Sequence, residues 1–144
     1  MKKIVMALCG WVAVSSFAQM SPVGLWRTMD DKTGAAKAEI RIKANGASGM
    51  SGVIERSLIK DDAGEPNCDL CTDDRKGKPK IGMEIIRGGK KAEDKEVWEG
   101  GRILDPENGK TYGLRLTPIE GGQKLEVRGS IGPFGRTQTW VRAK

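Results

Sequence analysis

The sequence predicts an all-β protein, an eight-stranded antiparallel up-and-down barrel, and three observations carry that prediction. From Val23 onward apolar residues recur at every second position rather than at helical spacing. Clusters of Gly, Pro, Asn and Asp interrupt the alternation at the intervals of a meander. No run of strong helix formers with i, i+4 apolar spacing is present, so no helix is available to cover a sheet edge, and closure is the device that removes both edges.

Taken in order, the first strand is expected over residues 23–29 and stops at Asp30-Asp31-Lys32-Thr33-Gly34. The second, over 36–42, alternates Ala38, Ile40 and Ile42 with Glu39, Arg41 and Lys43, and Asn45-Gly46 turns the chain. The third runs from about 48 to 58, where Gly49 and Gly52 permit the sharp bend of a barrel corner. Residues 59–80 break the rhythm with Asp61, Asp62, Pro66, Cys68-Asp69-Leu70-Cys71, Asp73, Asp74 and a basic run from Arg75 to Lys80, and form the one long loop. The fourth strand is expected over 81–87, with Gly88-Gly89-Lys90-Lys91 as the turn after it, and the fifth over 95–104.

The hairpin that follows is the most strongly specified part of the chain. Asp105-Pro106 suits the first two positions of a type I turn, and Gly109 can take the positive φ that returns the chain to the sheet. The remaining strands are expected over 110–117, 124–131 and 136–142. Leu114 and Leu116 then face inward with Leu125, Val127 and, across the barrel, Ile40, while Arg115, Lys124, Glu126 and Arg128 face water. Gly52, Gly101 and Gly129 leave interior space if they point inward.

Residues 1–18 read as a cleaved export signal: Lys2 and Lys3, an apolar core from Ile4 to Val14, and the small residues Ser16 and Ala18 flanking Phe17, with cleavage after Ala18. Lipidation at Cys9 fits poorly, since that cysteine follows Leu8 inside the apolar core. The apolar run is roughly half the ~20 residues of a membrane-spanning helix, so the expected product is a periplasmic or secreted single domain, residues 19–144, that does not span a membrane. Loss of the leader reduces 25 basic residues to 23 against 19 acidic ones, a net charge of +4. Basic and acidic residues alternate, which is the pattern of a solvated strand face and argues against nucleic-acid binding.

Trp26, Trp98 and Trp140 fall on the first, fifth and eighth strands. In a closed meander the first and eighth strands are neighbours, placing Trp26 and Trp140 near the seam, where Arg142 or Arg136 can cover an indole face. These tryptophans read either as core aromatics or as rings that stack on a ligand.

Gly24-Leu25-Trp26 with a late arginine near Trp140 resembles the Gly-x-Trp and arginine closure of lipocalins. The fuller pattern is Trp98-Glu99-Gly100-Gly101-Arg102-Ile103, Asp105-Pro106-Glu107-Asn108-Gly109-Lys110-Thr111-Tyr112, Leu125-Glu126-Val127-Arg128-Gly129 and Gly135-Arg136-Thr137-Gln138-Thr139-Trp140. It resembles the exported bacterial domain-of-unknown-function family 2147. That resemblance implies a lipocalin-like small barrel and supplies no activity, and the chain ends at Lys144 without the C-terminal helix of lipocalins.

The chain contains no histidine, which excludes Ser-His-Asp and Cys-His catalysis and imidazole-ligated metals. No enzyme, cofactor or metal site is therefore expected. Glu99 and Arg102 can hold a polar head group if a bulge at Gly100-Gly101 brings them to one face, and ordinary ion pairing with neighbouring strands is the alternative. Cys68 and Cys71 read as a disulfide clip in an oxidising compartment, with a redox pair or a carboxylate-assisted metal site as alternatives.

The expected function is binding of a small, largely apolar ligand in the barrel, with Trp26, Trp98, Glu99, Arg102, Tyr112 and Trp140 as candidate contacts. The alternatives are an envelope interaction module that uses loop 59–80 on a side-chain-filled barrel, and an enzyme using Glu99 or the cysteine pair.

Overall fold

Period-two alternation leaves each strand one apolar face, and that face is buried when the sheet closes on itself. The computed structural model describes Gly10, residues 20–59 and residues 64–144. Its strands are β1 (Gly24–Met29), β2 (Ala36–Ala44), β3 (Met50–Ser57), β4 (Glu84–Arg87), β5 (Lys90–Lys91), β6 (Trp98–Asp105), β7 (Lys110–Ile119), β8 (Lys124–Ile131) and β9 (Phe134–Arg142). All pairings are antiparallel in the order β4-β3-β2-β1-β9-β8-β7-β6-β5, and β4 also pairs with β6, which closes the sheet. β4 and β5 are halves of one interrupted strand, so the molecule is an eight-stranded antiparallel barrel. The leader expected over 1–18 lies, Gly10 apart, outside the described residues.

One part of the predicted order is corrected. Gly88-Gly89 does not turn the chain; it kinks a strand that continues as β5, where Lys90 and Lys91 pair with Glu99 and Trp98. The reversal comes later, over 92–97, and β6 begins at Trp98 rather than near residue 95. The cause lies on the opposite strand. A bulge at Gly100 (φ +85°) presses Gly101 so close that a Cβ there would lie 2.6 Å from the Gly88 carbonyl carbon. Only backbone fits between these strands, so both strands carry glycine.

A meander places its connections alternately at two ends. One end holds the 45–49, 92–97 and 120–123 turns and the segment leading into β1; there the interior is filled. Trp26, Ile42, Ile86, Leu116 and Leu125 are wholly inaccessible, and Met50, Trp98 and Leu114 are nearly so. Gly52 leaves no void, because its missing Cβ position is occupied by Ile86 at 2.9 Å.

The seam beside this core is short: β1 and β9 pair only at Trp26–Arg142 and Arg27–Val141. Arg142 reinforces it. Its guanidinium lies 4.2 Å from the Trp26 ring centroid and donates to the carbonyls of Gly122 (2.7 Å), Val23 (3.0 Å) and Ser21 (3.1 Å). The Trp26 indole N–H donates to the Pro22 carbonyl at 2.8 Å. Arg136, the other arginine considered for this role, sits at the opposite end and pairs with Asp31.

Gly101→Ala is expected to lower stability by about 3 kcal/mol, since a methyl meets unyielding backbone. Gly100→Ala meets no atom within 4 Å and costs about 1 kcal/mol for its left-handed backbone. Urea denaturation orders the two, and equal losses would remove close approach as the reason for Gly101. Trp26→Ala, which empties the closed end, should cost about 3–5 kcal/mol on the same assay.

Candidate functional site: the open half of the barrel

The other end carries the 30–35, 58–83, 106–109 and 132–133 connections, and here the interior is hollow. A cavity of about 690 Å³ opens between these connections. Its wall is apolar: Ala38 and Ile40 of β2, Ile54 of β3, Ile103 of β6, Val127 of β8 and Trp140 of β9. Side-chain size explains why space remains at this level. Where the closed end has Trp26 and Ile42, the open end has Thr28 and Ala38 on the same strand faces. Gly129 also faces the cavity, and Tyr112 leans over it, 3.3 Å from where a Cβ would be.

Polar side chains stand on the wall with the apolar ones, and Tyr112 and Gln138 are tied to neighbours. Tyr112 accepts a hydrogen bond from the Asn108 side-chain amide at 3.0 Å, and the Trp140 indole N–H donates to the Gln138 side-chain oxygen at 3.3 Å. The mouth is charged but internally neutralised in part: Lys37 faces Glu107 at 3.5 Å, and Arg136 pairs with Asp31.

Residues 64–81 of the long connection form the remaining wall, and their local chemistry explains why they hold a shape. Cys68 and Cys71 are joined by a disulfide and are both inaccessible to solvent. The Cys68 N–H donates to the Lys78 carbonyl and the Gly77 N–H returns to Cys68, both at 2.8 Å, which folds 66–80 back on itself. The turn lies against the 106–109 hairpin, and at Gly109 (φ +73°) a Cβ would sit 2.0 Å from the Leu70 carbonyl oxygen. Leu70 itself, 62% exposed, projects at the cavity mouth.

Charge fixes the far side of this loop to β4. Arg75 is buried, grips Asp73 through both carboxylate oxygens and donates to the Glu84 carbonyl at 2.8 Å. Arg87 forks onto Asp74 with two 2.9 Å bonds and reaches Glu84 at 2.7 Å, while Ser51 donates to the same Glu84 carboxylate. These bonds hold Asp73 at a pKa of about 2 through Arg75, Asp74 low through Arg87, and Glu84 low through Ser51 and then Arg87.

The predicted contacts divide between the two ends. Trp140 and Tyr112 line the cavity. Trp26 is sealed under Arg142, and Trp98 is buried beside Met50 and Gly89 at a separate recess of about 180 Å³. The bulge at Gly100 is present, yet it does not bring Glu99 and Arg102 together. Glu99 pairs with Arg115 at 3.3 Å on the outer surface, and exposed Arg102 donates to the Thr111 carbonyl at 3.5 Å. Ala38, Asn108 and Gln138 are cavity residues that the sequence reading passed over. Gln138 had a signal: it lies two residues before Trp140, hence on the same strand face. Among the described residues no three His, Cys, Asp or Glu side chains gather as a metal site, and no helix is long and apolar enough to cross a membrane.

A family model described as "Uncharacterized protein conserved in bacteria (DUF2147)" matches residues 24–142. No curated protein matches the chain. Among solved structures the chain is similar to protein HP1028 from Helicobacter pylori, described as belonging to the lipocalin family. The TM-score is 0.69 at 18% identity, over 85% of this chain and 82% of that one. At that identity the likeness speaks for the fold.

Asp73 is more acidic in the folded protein (about 2) than its ordinary value of 3.8. Its contribution to stability is therefore fully present above about pH 5 and is lost as pH falls through about 2. Asp73→Asn should flatten the acid arm of the stability profile between those limits, read as urea midpoints at stepped pH. An unchanged acid arm would show that the Arg75 pair contributes nothing.

Proposed function

The chain belongs to the DUF2147 family, and we propose that it is a non-catalytic binding protein that holds one small, largely apolar ligand in the open half of its barrel. The observation that carries this reading is the contrast along the barrel axis. Half the interior is packed, while the other half keeps a cavity within the 300–1,000 Å³ range of small-molecule sites, with apolar side chains along its strands and polar and charged ones about its mouth. Its wall brings together Trp140, Tyr112, Ile40, Ile54, Ile103 and Val127. A lipocalin-like fold supports the same reading. The export signal read from residues 1–18 supports a site of action in the periplasm or outside the cell.

The test uses N-phenyl-1-naphthylamine, whose fluorescence rises in apolar surroundings. Wild-type protein should bind it at one site and transfer energy to it from tryptophan. Ala38→Trp, which fills the cavity from β2, should weaken that binding by at least about tenfold, some 1.4 kcal/mol, while the melting temperature stays within a few degrees. Unchanged probe affinity in a folded Ala38→Trp protein would place binding elsewhere and overturn the reading.

A further inference from the structure

We infer that the ligand carries a neutral hydrogen-bond acceptor, a carbonyl of the ester, ketone or amide kind, which the cavity receives from Gln138 and Tyr112. The inference rests on the cavity being the binding site and names the chemistry of what enters it. It follows from counting donors and acceptors on the wall.

An indole N–H can only donate, so the Gln138 atom that faces Trp140 must be its oxygen, as found at 3.3 Å. The Gln138 amide nitrogen, with its hydrogens, is then the group left for the cavity. The same reasoning fixes Tyr112. The Lys110 backbone N–H donates to the Asn108 side-chain oxygen at 2.8 Å, which orients the Asn108 amide nitrogen toward Tyr112. That nitrogen donates, so the phenol oxygen accepts, and the phenol hydrogen remains to be given. Among the described residues neither remaining donor has a partner. Two side chains from β7 and β9 thus present donors to the same cavity. Thr28 and Ser57 also line it, but a hydroxyl donates or accepts as required and imposes no direction.

Charge at the mouth decides between a carbonyl and a carboxylate. Lys37, Lys80 and Arg136 line the cavity, against Glu65, Asp69, Asp105 and Glu107. Two of the three cations already face carboxylates, Lys37 at Glu107 and Arg136 at Asp31. An anionic head would meet surplus negative charge at the mouth, with Lys80 as the single lining cation that faces no carboxylate among the described residues. A cationic head would find carboxylates at the mouth, but between Tyr112 and Gln138 it would bring only donors to groups that themselves have donors to give. A neutral acceptor satisfies both constraints.

Competition against the naphthylamine probe at neutral pH tests this with four ligands of one chain length: methyl decanoate, decanoate, decylammonium and decane. Methyl decanoate should displace the probe at about tenfold lower concentration than any of the other three. Gln138→Leu and Tyr112→Phe should each remove several-fold of that preference and leave decane unchanged, which a general loss of cavity shape would not do. Tightest binding of decanoate or decylammonium, or an ester preference that survives both substitutions, would overturn the assignment. Equal displacement by all four would overturn it too, leaving cavity binding intact. Absence of any probe binding by the folded protein would overturn the binding site and this inference together.

Discussion

Arg142 is the residue on which the closed end of this barrel depends. A rolled sheet needs its first and last strands joined, and here the ladder between β1 and β9 contributes two residue pairs. Arg142 makes up the deficit by a different kind of bond. One guanidinium ties carbonyls from the segment before β1 and from the β7–β8 turn while its flat face covers Trp26. Charge-assisted bonds are stronger than neutral ones, and an arginine supplies several in fixed directions. Burial pushes its pKa down from the usual arginine value, and the carbonyls and the indole face receive the charge in place of water.

From that anchored end the interior changes character along the axis. The large side chains at the closed end fill the cross-section, in keeping with an eight-stranded barrel being only wide enough for side chains or one small ligand. The residues that open the other half are ordinary substitutions of size: Thr28 for a tryptophan level, Ala38 for an isoleucine level, Gly129 with Tyr112 folded over it. The long connection then builds out the rim. Its disulfide, its seat against Gly109 and the Asp73–Arg75 and Asp74–Arg87 pairs give residues 66–80 a definite shape.

Much of this was legible in the sequence, for a local reason. Strand alternation and turn chemistry are short-range, and the Asp105–Lys110 turn formed as its residues specify, with Asp105 accepting from Glu107 and Gly109 at positive φ. The inward faces of β2, β7 and β8 were equally readable. What the chain does not display is anything set by the strand opposite. Gly88-Gly89 looks like a turn by itself and becomes a kink only because Gly101 leaves room for backbone alone. Glu99 and Arg102 could share a site only through a bulge at Gly100-Gly101; the bulge forms, yet each side chain takes a partner on β7, the neighbouring-strand pairing that was the alternative. Height along the axis was hidden for the same reason. Trp26, Trp98 and Trp140 are alike in sequence, and register alone puts one at the cavity and two in the packed end.

The brevity of the β1–β9 ladder has a mechanical side. Above Arg27 and Val141 those two strands run to the mouth without ladder bonds between them, and Arg136 reaches Asp31 across the gap. Every other strand pair with a long ladder must break hydrogen bonds to spread. Spreading at this seam breaks one solvent-exposed ion pair, of the kind worth about 1 kcal/mol or less. The barrel is therefore stiff where long ladders join its strands and compliant along two lines, β1–β9 and β4–β6, where the ladder is two residue pairs, so the girth of what it admits is governed at those lines rather than by the sheet as a whole.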